Sequence, residues 1–118
     1  LAVSFRAQGL SVHALAYDQG EEASVLALRD AIVERSGKVD VLVNNAGGSP
    51  PADTTTASPR FTERIIALNL LSAIYTSQRA NHHMQQLRGG AIVNIGSVVS
   101  MRPSPTVAAY GAAKAGLV

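Results

Sequence analysis

Two short apolar runs, each closed by small or amide residues and separated by one long helical pattern, restrict this chain more than any other feature. Val39-Asp-Val-Leu-Val43 leads into Asn44-Asn45-Ala46-Gly47, and Ala91-Ile-Val-Asn-Ile95 leads into Gly96-Ser97. Runs this short, rich in apolar β-formers and ended by turn residues, read as buried parallel strands. From Pro59 to about Leu87 the sequence places Leu68, Leu71 and Tyr75 on one helical stripe. Ser58-Pro59 reads as an N-cap with proline at the first helical position, and Gly89-Gly90 as the break. Parallel strands need a crossover of this kind. An α/β fold follows.

The flanks continue the alternation. Leu1 to Gly9 reads as the tail of a helix closed by a C-cap glycine. Val12-His-Ala-Leu-Ala-Tyr17 is strand-like, which would make three strands in all. From Glu21 to about Ser36, Val25, Leu28 and Ile32 share a face, acidic residues open the first turn, and Gly37 ends the helix. Gly47 to Ser58 is a polar loop, and Val107 starts the last helix. No repeat, low-complexity block or linker divides the chain, so one domain suffices.

Composition removes several classes. Hydrophobic residues make up 47% and charged residues 15% of the 118. No apolar stretch reaches the ~18 residues of a membrane span. The absence of cysteine excludes a disulfide framework and a thiolate zinc site. A net charge of +2 and 4% aromatics give little to hold nucleic acid. His82-His83 point about 100° apart on a helix, so they read as solvated residues and no metal site is expected. His13 reads as structural. Nothing resembles the GxSxG elbow of hydrolases.

Chemistry concentrates elsewhere. Tyr110-Gly-Ala-Ala-Lys114 sets a phenol and an ammonium one helical turn apart, on one face. A phenol ordinarily titrates near ~10, and an adjacent cation favours its ionised form. Such a tyrosine is suited to exchange a proton with an alcohol or carbonyl. Ser97 lies just past a strand, at the carboxyl edge where open α/β sheets bind ligands. The small residues of Asn44-Asn45-Ala46-Gly47 allow a flat ligand close to the backbone. Asn69 interrupts the apolar Ile65–Leu71 run, and its amide needs partners or costs about 1–3 kcal/mol to bury.

Together these residues resemble the short-chain dehydrogenase/reductase family across nearly the whole chain. The resemblance implies a partial Rossmann-like, doubly wound parallel sheet and an NAD- or NADP-dependent oxidoreductase acting on a carbonyl or secondary alcohol. It gives Tyr110 the role of acid/base, Lys114 that of tuning the tyrosine and holding the nicotinamide ribose, and Ser97 that of orienting the substrate oxygen. Asn69 is implied to position a water in a proton relay. The segment of Asn44, Asn45, Ala46 and Gly47 is implied to pass beside the adenosine half, with Asp18 and Gln19 at the adenine ring. At Gln19 the family commonly has an apolar residue. The two alternatives are a nucleotide-sugar epimerase or dehydratase, and a non-catalytic dinucleotide-binding protein. The same resemblance implies a cytoplasmic homodimer or homotetramer.

The family's glycine-rich TGxxxGIG turn does not precede Asp18, so residues 1–118 are expected to be an internal part of one larger domain. In the family's strand order, two further strands would separate Val12–Tyr17 from Val39–Val43. That leaves a gap of about 14 Å, and the segment alone is expected neither to fold cooperatively nor to turn over substrate. Ser49–Ala52 and Met101–Pro105 are the possible pocket loops.

Overall fold

The computed structural model describes residues 2–18, 21–102 and 104–118. Helix α1 (Ala2–Ala7) is short, and Gly9 takes the left-handed conformation after it (φ 80°). Helix α2 (Glu22–Ser36) stops at Gly37, which has a φ of 72° and whose N–H donates to Val33 O at 2.7 Å. A β-carbon would resist that backbone, so glycine ends the helix as the sequence predicts.

Strands β1 (Val41–Asn44) and β2 (Ala91–Asn94) pair in parallel, with Val41 opposite Ala91 and Asn44 opposite Asn94. Between them run helix α3 (Pro59–Ile66), a π-helical turn (Ala67–Leu71) and helix α4 (Ser72–Gln86). The Ser58 hydroxyl accepts from Phe61 N at 3.2 Å and caps α3, and Pro59 opens it. A 3-10 turn (Val98–Ser100) then leads towards helix α5 (Ala108–Gly116).

One expectation is corrected. Among the described residues the sheet has two strands and not three, because Val12–Tyr17 forms none. A strand needs a ladder partner for its backbone groups, and among the described residues β1 pairs only with β2. The segment instead follows the helices. Arg6 Nε donates to Val12 O at 2.7 Å, Arg35 Nη1 lies 2.5 Å from His13 Nδ1, and Asp18 N–H donates to Ser24 Oγ at 2.7 Å. The long helix runs from Pro59 to Gln86 as expected, with a wider π turn at Ala67–Leu71.

Leu42 and Asn44 turn towards the helical layer, whereas Val41 and Val43 face away and are 57% and 54% exposed. The core is small: Val25, Ile65, Ala73, Ala80, Met84 and Ala113 are its buried apolar residues. With them are buried Asn69, Ser72 and Lys114. Buried polar groups are held by hydrogen bonds or carry a large cost, and two of these three lead to the site.

Candidate functional site

Parallel pairing brings the carboxyl ends of β1 and β2 to one edge, so Asn44–Gly48 and Ile95–Ser97 emerge side by side. Ile95 N–H donates to Asn44 O at 3.0 Å, which extends the ladder by one bond. The Asn44 side chain then locks the edge to α4. Its Nδ2 donates to Asn94 Oδ1 at 2.8 Å and to Ser77 Oγ at 3.0 Å, while its Oδ1 accepts from Thr76 Oγ1 at 2.7 Å. Asn44 is a structural clamp that sequence reasoning missed. The signal was the second asparagine, Asn94, which meets it only once the register is known.

Helix α5 crosses this edge. Lys114 is 4% exposed, and its Nζ donates to Ile95 O at 2.7 Å. The same ammonium lies 5.8 Å from the centroid of the Tyr110 ring, as the four-residue spacing predicts. An ammonium has three donors; Ile95 O is its one hydrogen-bond acceptor among the described residues.

Asn69 closes the third side from the π turn. Its Nδ2 donates to Gly48 O and Ile65 O, both at 2.9 Å, and its Oδ1 accepts from Gly48 N at 2.7 Å. The amide thus pins the loop after β1. Both of its N–H donors are engaged by backbone. Gly47 sits where nothing larger fits: a β-carbon there would lie 2.6 Å from Asn69 Oδ1 and 3.7 Å from Lys114 Nζ. Gly47, Asn69 and Lys114 therefore form one contact group.

Ser97 is extended (φ −156°, ψ 151°), and its hydroxyl accepts from Val99 N at 3.5 Å, a weak cap for the 3-10 turn. Ser100 Oγ donates to Ser97 O at 2.7 Å and steadies that turn. The turn packs on α5, and a β-carbon at Gly111 would lie 3.3 Å from Val99 O. The segment after Ser97 is thereby held against the residue that follows Tyr110.

The adenine-side residues are less assembled. Asn45 and Ala46 line a cavity of about 50 Å³ together with Tyr17, Leu42, Ser72 and Thr76. Asp18 follows Tyr17, with its carbonyl accepting from Glu21 N at 3.3 Å. Gln19 lies outside the described residues, as do Leu1 and Pro103 of the expected helix tail and pocket loop. His83 Nε2 is 3.3 Å from Gly37 O, at the end of α2 and not at the site.

A parallel β-α-β unit with a buried lysine, an amide and a tyrosine gathered at the carboxyl edge of its strands defines an α/β protein whose polar side chains converge where open sheets of this class place ligands. Comparison with known proteins makes this specific. The family model for short chain dehydrogenase matches residues 1–118, and the chain belongs to that family. It is 46% identical over 88 residues to the 3-oxoacyl-(acyl-carrier-protein) reductase MabA of Mycobacterium avium, covering 74% of this chain and 34% of that protein. It is 35% identical over 105 residues to carbonyl reductase family member 4 of Xenopus tropicalis, covering 89% and 44% respectively. A crystal structure of a short chain dehydrogenase from Mycobacterium smegmatis superposes with a TM-score of 0.93 at 31% identity, over 98% of this chain and 49% of that one. The chain thus spans less than half the length of these relatives. No helix among the described residues is long and apolar enough to cross a membrane.

Proposed function

We propose that this chain carries the proton-handling face of an oxidoreductase that interconverts a carbonyl and a secondary alcohol with NAD or NADP. The observation that carries this is Lys114, buried at 4% exposure with its charge between Ile95 O and the Tyr110 ring. A buried ammonium with no carboxylate partner among the described residues is costly, and such charges cluster at functional sites. Its donor set fits a dinucleotide, since two N–H groups remain for a vicinal diol such as a ribose. The nicotinamide, when bound, supplies or accepts the hydride.

The residues divide the remaining tasks. Tyr110 gives its hydroxyl proton to the carbonyl oxygen in reduction and takes the alcohol proton in oxidation. Ser97 hydrogen-bonds the same oxygen and orients it. Lys114 supplies a fixed positive charge beside the ring and binds the ribose hydroxyls. Asn69 fixes Gly47 and Gly48 beside Lys114; with both Nδ2 hydrogens engaged, a relay water rests on its oxygen or on the π-turn backbone. Asn45, Ala46 and Gly47 border the adenosine half, and Asp18 the adenine. The similarity to a 3-oxoacyl-(acyl-carrier-protein) reductase and to a carbonyl reductase family member favours a carbonyl substrate.

The test is Tyr110→Phe in the full-length protein, assayed with both cofactors against a carbonyl panel by absorbance of the reduced nicotinamide. General acid–base catalysis is worth roughly 10²–10⁴-fold, so kcat should fall by that factor with cofactor affinity retained. Turnover close to the parent protein's would remove the acid/base assignment.

A further inference from the structure

Helix α5 carries both Tyr110 and Lys114, yet it does not cap itself. Val107 stands at its N-cap with no side-chain hydrogen bond, whereas α3 has Ser58 in that place. The entry to α5 is fixed from outside instead. Ala52 N–H donates to Thr106 O at 2.8 Å, and Thr54 Oγ1 donates to Pro105 O at 2.5 Å. These two ties are accepted by consecutive carbonyls immediately before the helix.

The donors are presented by a tight turn. Asp53 Oδ1 accepts from Thr55 N at 2.8 Å and from Thr55 Oγ1 at 2.7 Å, and Asp53 O accepts from Ala57 N at 2.8 Å. The hydrogen bonds from Thr55, hydroxyl first and amide second, hold the Asp53 carboxyl below the usual aspartate range. It is an ionised acceptor at neutral pH, and the turn stays assembled there. Between the two helix entries lies a cavity of about 140 Å³, lined by Phe61, Thr62, Val107 and Ala108 among others. Helices α3 and α5 pack on each other beside this cavity, and the two ties fix the backbone that feeds into α5.

We propose that Thr54, presented by the Asp53 turn, is a positioning residue for Tyr110: it sets the entry of α5 and thereby the placement of the phenol relative to Ser97. This rests on the acid/base reading of Tyr110. A shift of about 1 Å at a reacting group can cost up to 10²-fold in rate, so a helix start freed on one side should lower turnover without weakening dinucleotide binding.

The experiment compares Thr54→Val, Thr54→Ser and Tyr110→Phe in the full-length protein. Readouts are kcat, the KM for cofactor and the thermal midpoint. Thr54→Val keeps the side-chain shape and removes the donor; kcat should fall roughly 10-fold with the cofactor KM within about twofold. Thr54→Ser should restore kcat, because it returns the hydroxyl. Unchanged kcat in Thr54→Val beside an inactive Tyr110→Phe overturns the positioning role and leaves the acid/base reading intact. A defect that serine does not rescue, or one confined to KM, also overturns it. An active Tyr110→Phe removes both readings together. If Thr54→Val loses its thermal transition, Thr55→Val takes its place: it loosens the Asp53 turn without touching the tie and should lower kcat in the same direction, and a kcat equal to the parent's then counts against the proposal.

Discussion

Gly47 shows how closely the site is drawn at the level of single residues. A methyl group there would sit 2.6 Å from Asn69 Oδ1, far inside van der Waals contact. The amide would have to leave Gly48, whose N–H and carbonyl would lose their partner. Gly47→Ala in the full-length protein is therefore expected to cost roughly 1–3 kcal/mol, read as a lower denaturant midpoint. A variant as stable as the parent would mean that the loop has room the geometry denies. Lys114→Ala is the second case. It removes the ammonium held on Ile95 O, and cofactor affinity and kcat should both drop, measured by titration and steady-state kinetics; unchanged affinity would argue against the ribose contact. The Tyr110–Lys114 pairing was legible because helical spacing alone dictates it. Asn44 was not, because its partners Asn94, Ser77 and Thr76 come from other elements.

At the scale of elements, helices announced themselves better than strands. Ser58, Pro59 and Gly37 act through local backbone geometry, and each sits where its chemistry predicts. Val12–Tyr17 has the composition of a strand but no partner among the described residues, and composition does not supply one. The π turn was invisible, since no residue propensity marks one; it holds the buried Asn69, whose amide donates to Ile65 O. The end of α4 offers a further lesson. Gly89-Gly90 was read as the break, yet the residue that takes the left-handed conformation is Arg88, at φ 58°. Gly90 serves another need: a β-carbon there would lie 2.4 Å from Met84 Cγ. The two positions should respond in opposite ways. Arg88→Gly relieves a strained backbone and is expected to raise stability by roughly 0.5–1 kcal/mol, while Gly90→Ala should lower it by about 1–3 kcal/mol. Thermal midpoints of the two full-length variants moving in the same direction would refute this division of labour.

For the molecule as a whole, the question is whether these contacts suffice to hold residues 1–118 together unaided. The accessible surface is 7918 Å², against about 6,100 Å² for a compact chain of this mass. The radius of gyration is 16.3 Å, against about 13.5 Å for a compact domain of this length. Both excesses have a visible source. Val41, Val43, Val93 and Ile95 are 57%, 54%, 43% and 41% exposed, so apolar surface that strands ordinarily bury lies open. Neither β1 nor β2 has a second strand partner among the described residues. Hydrophobic burial must offset roughly 1–2 kcal/mol of backbone entropy per ordered residue, and a core this small leaves no surplus. The 118-residue polypeptide on its own is therefore expected to lose helical signal gradually on heating, to bind a hydrophobic dye such as ANS, and to associate through its open strand edges. Circular dichroism, dye fluorescence and sizing at several concentrations would check this. A sigmoidal, concentration-independent transition whose calorimetric and van't Hoff enthalpies agree would sink it, and would mean that the helical layer over β1 is stable without the rest of a sheet.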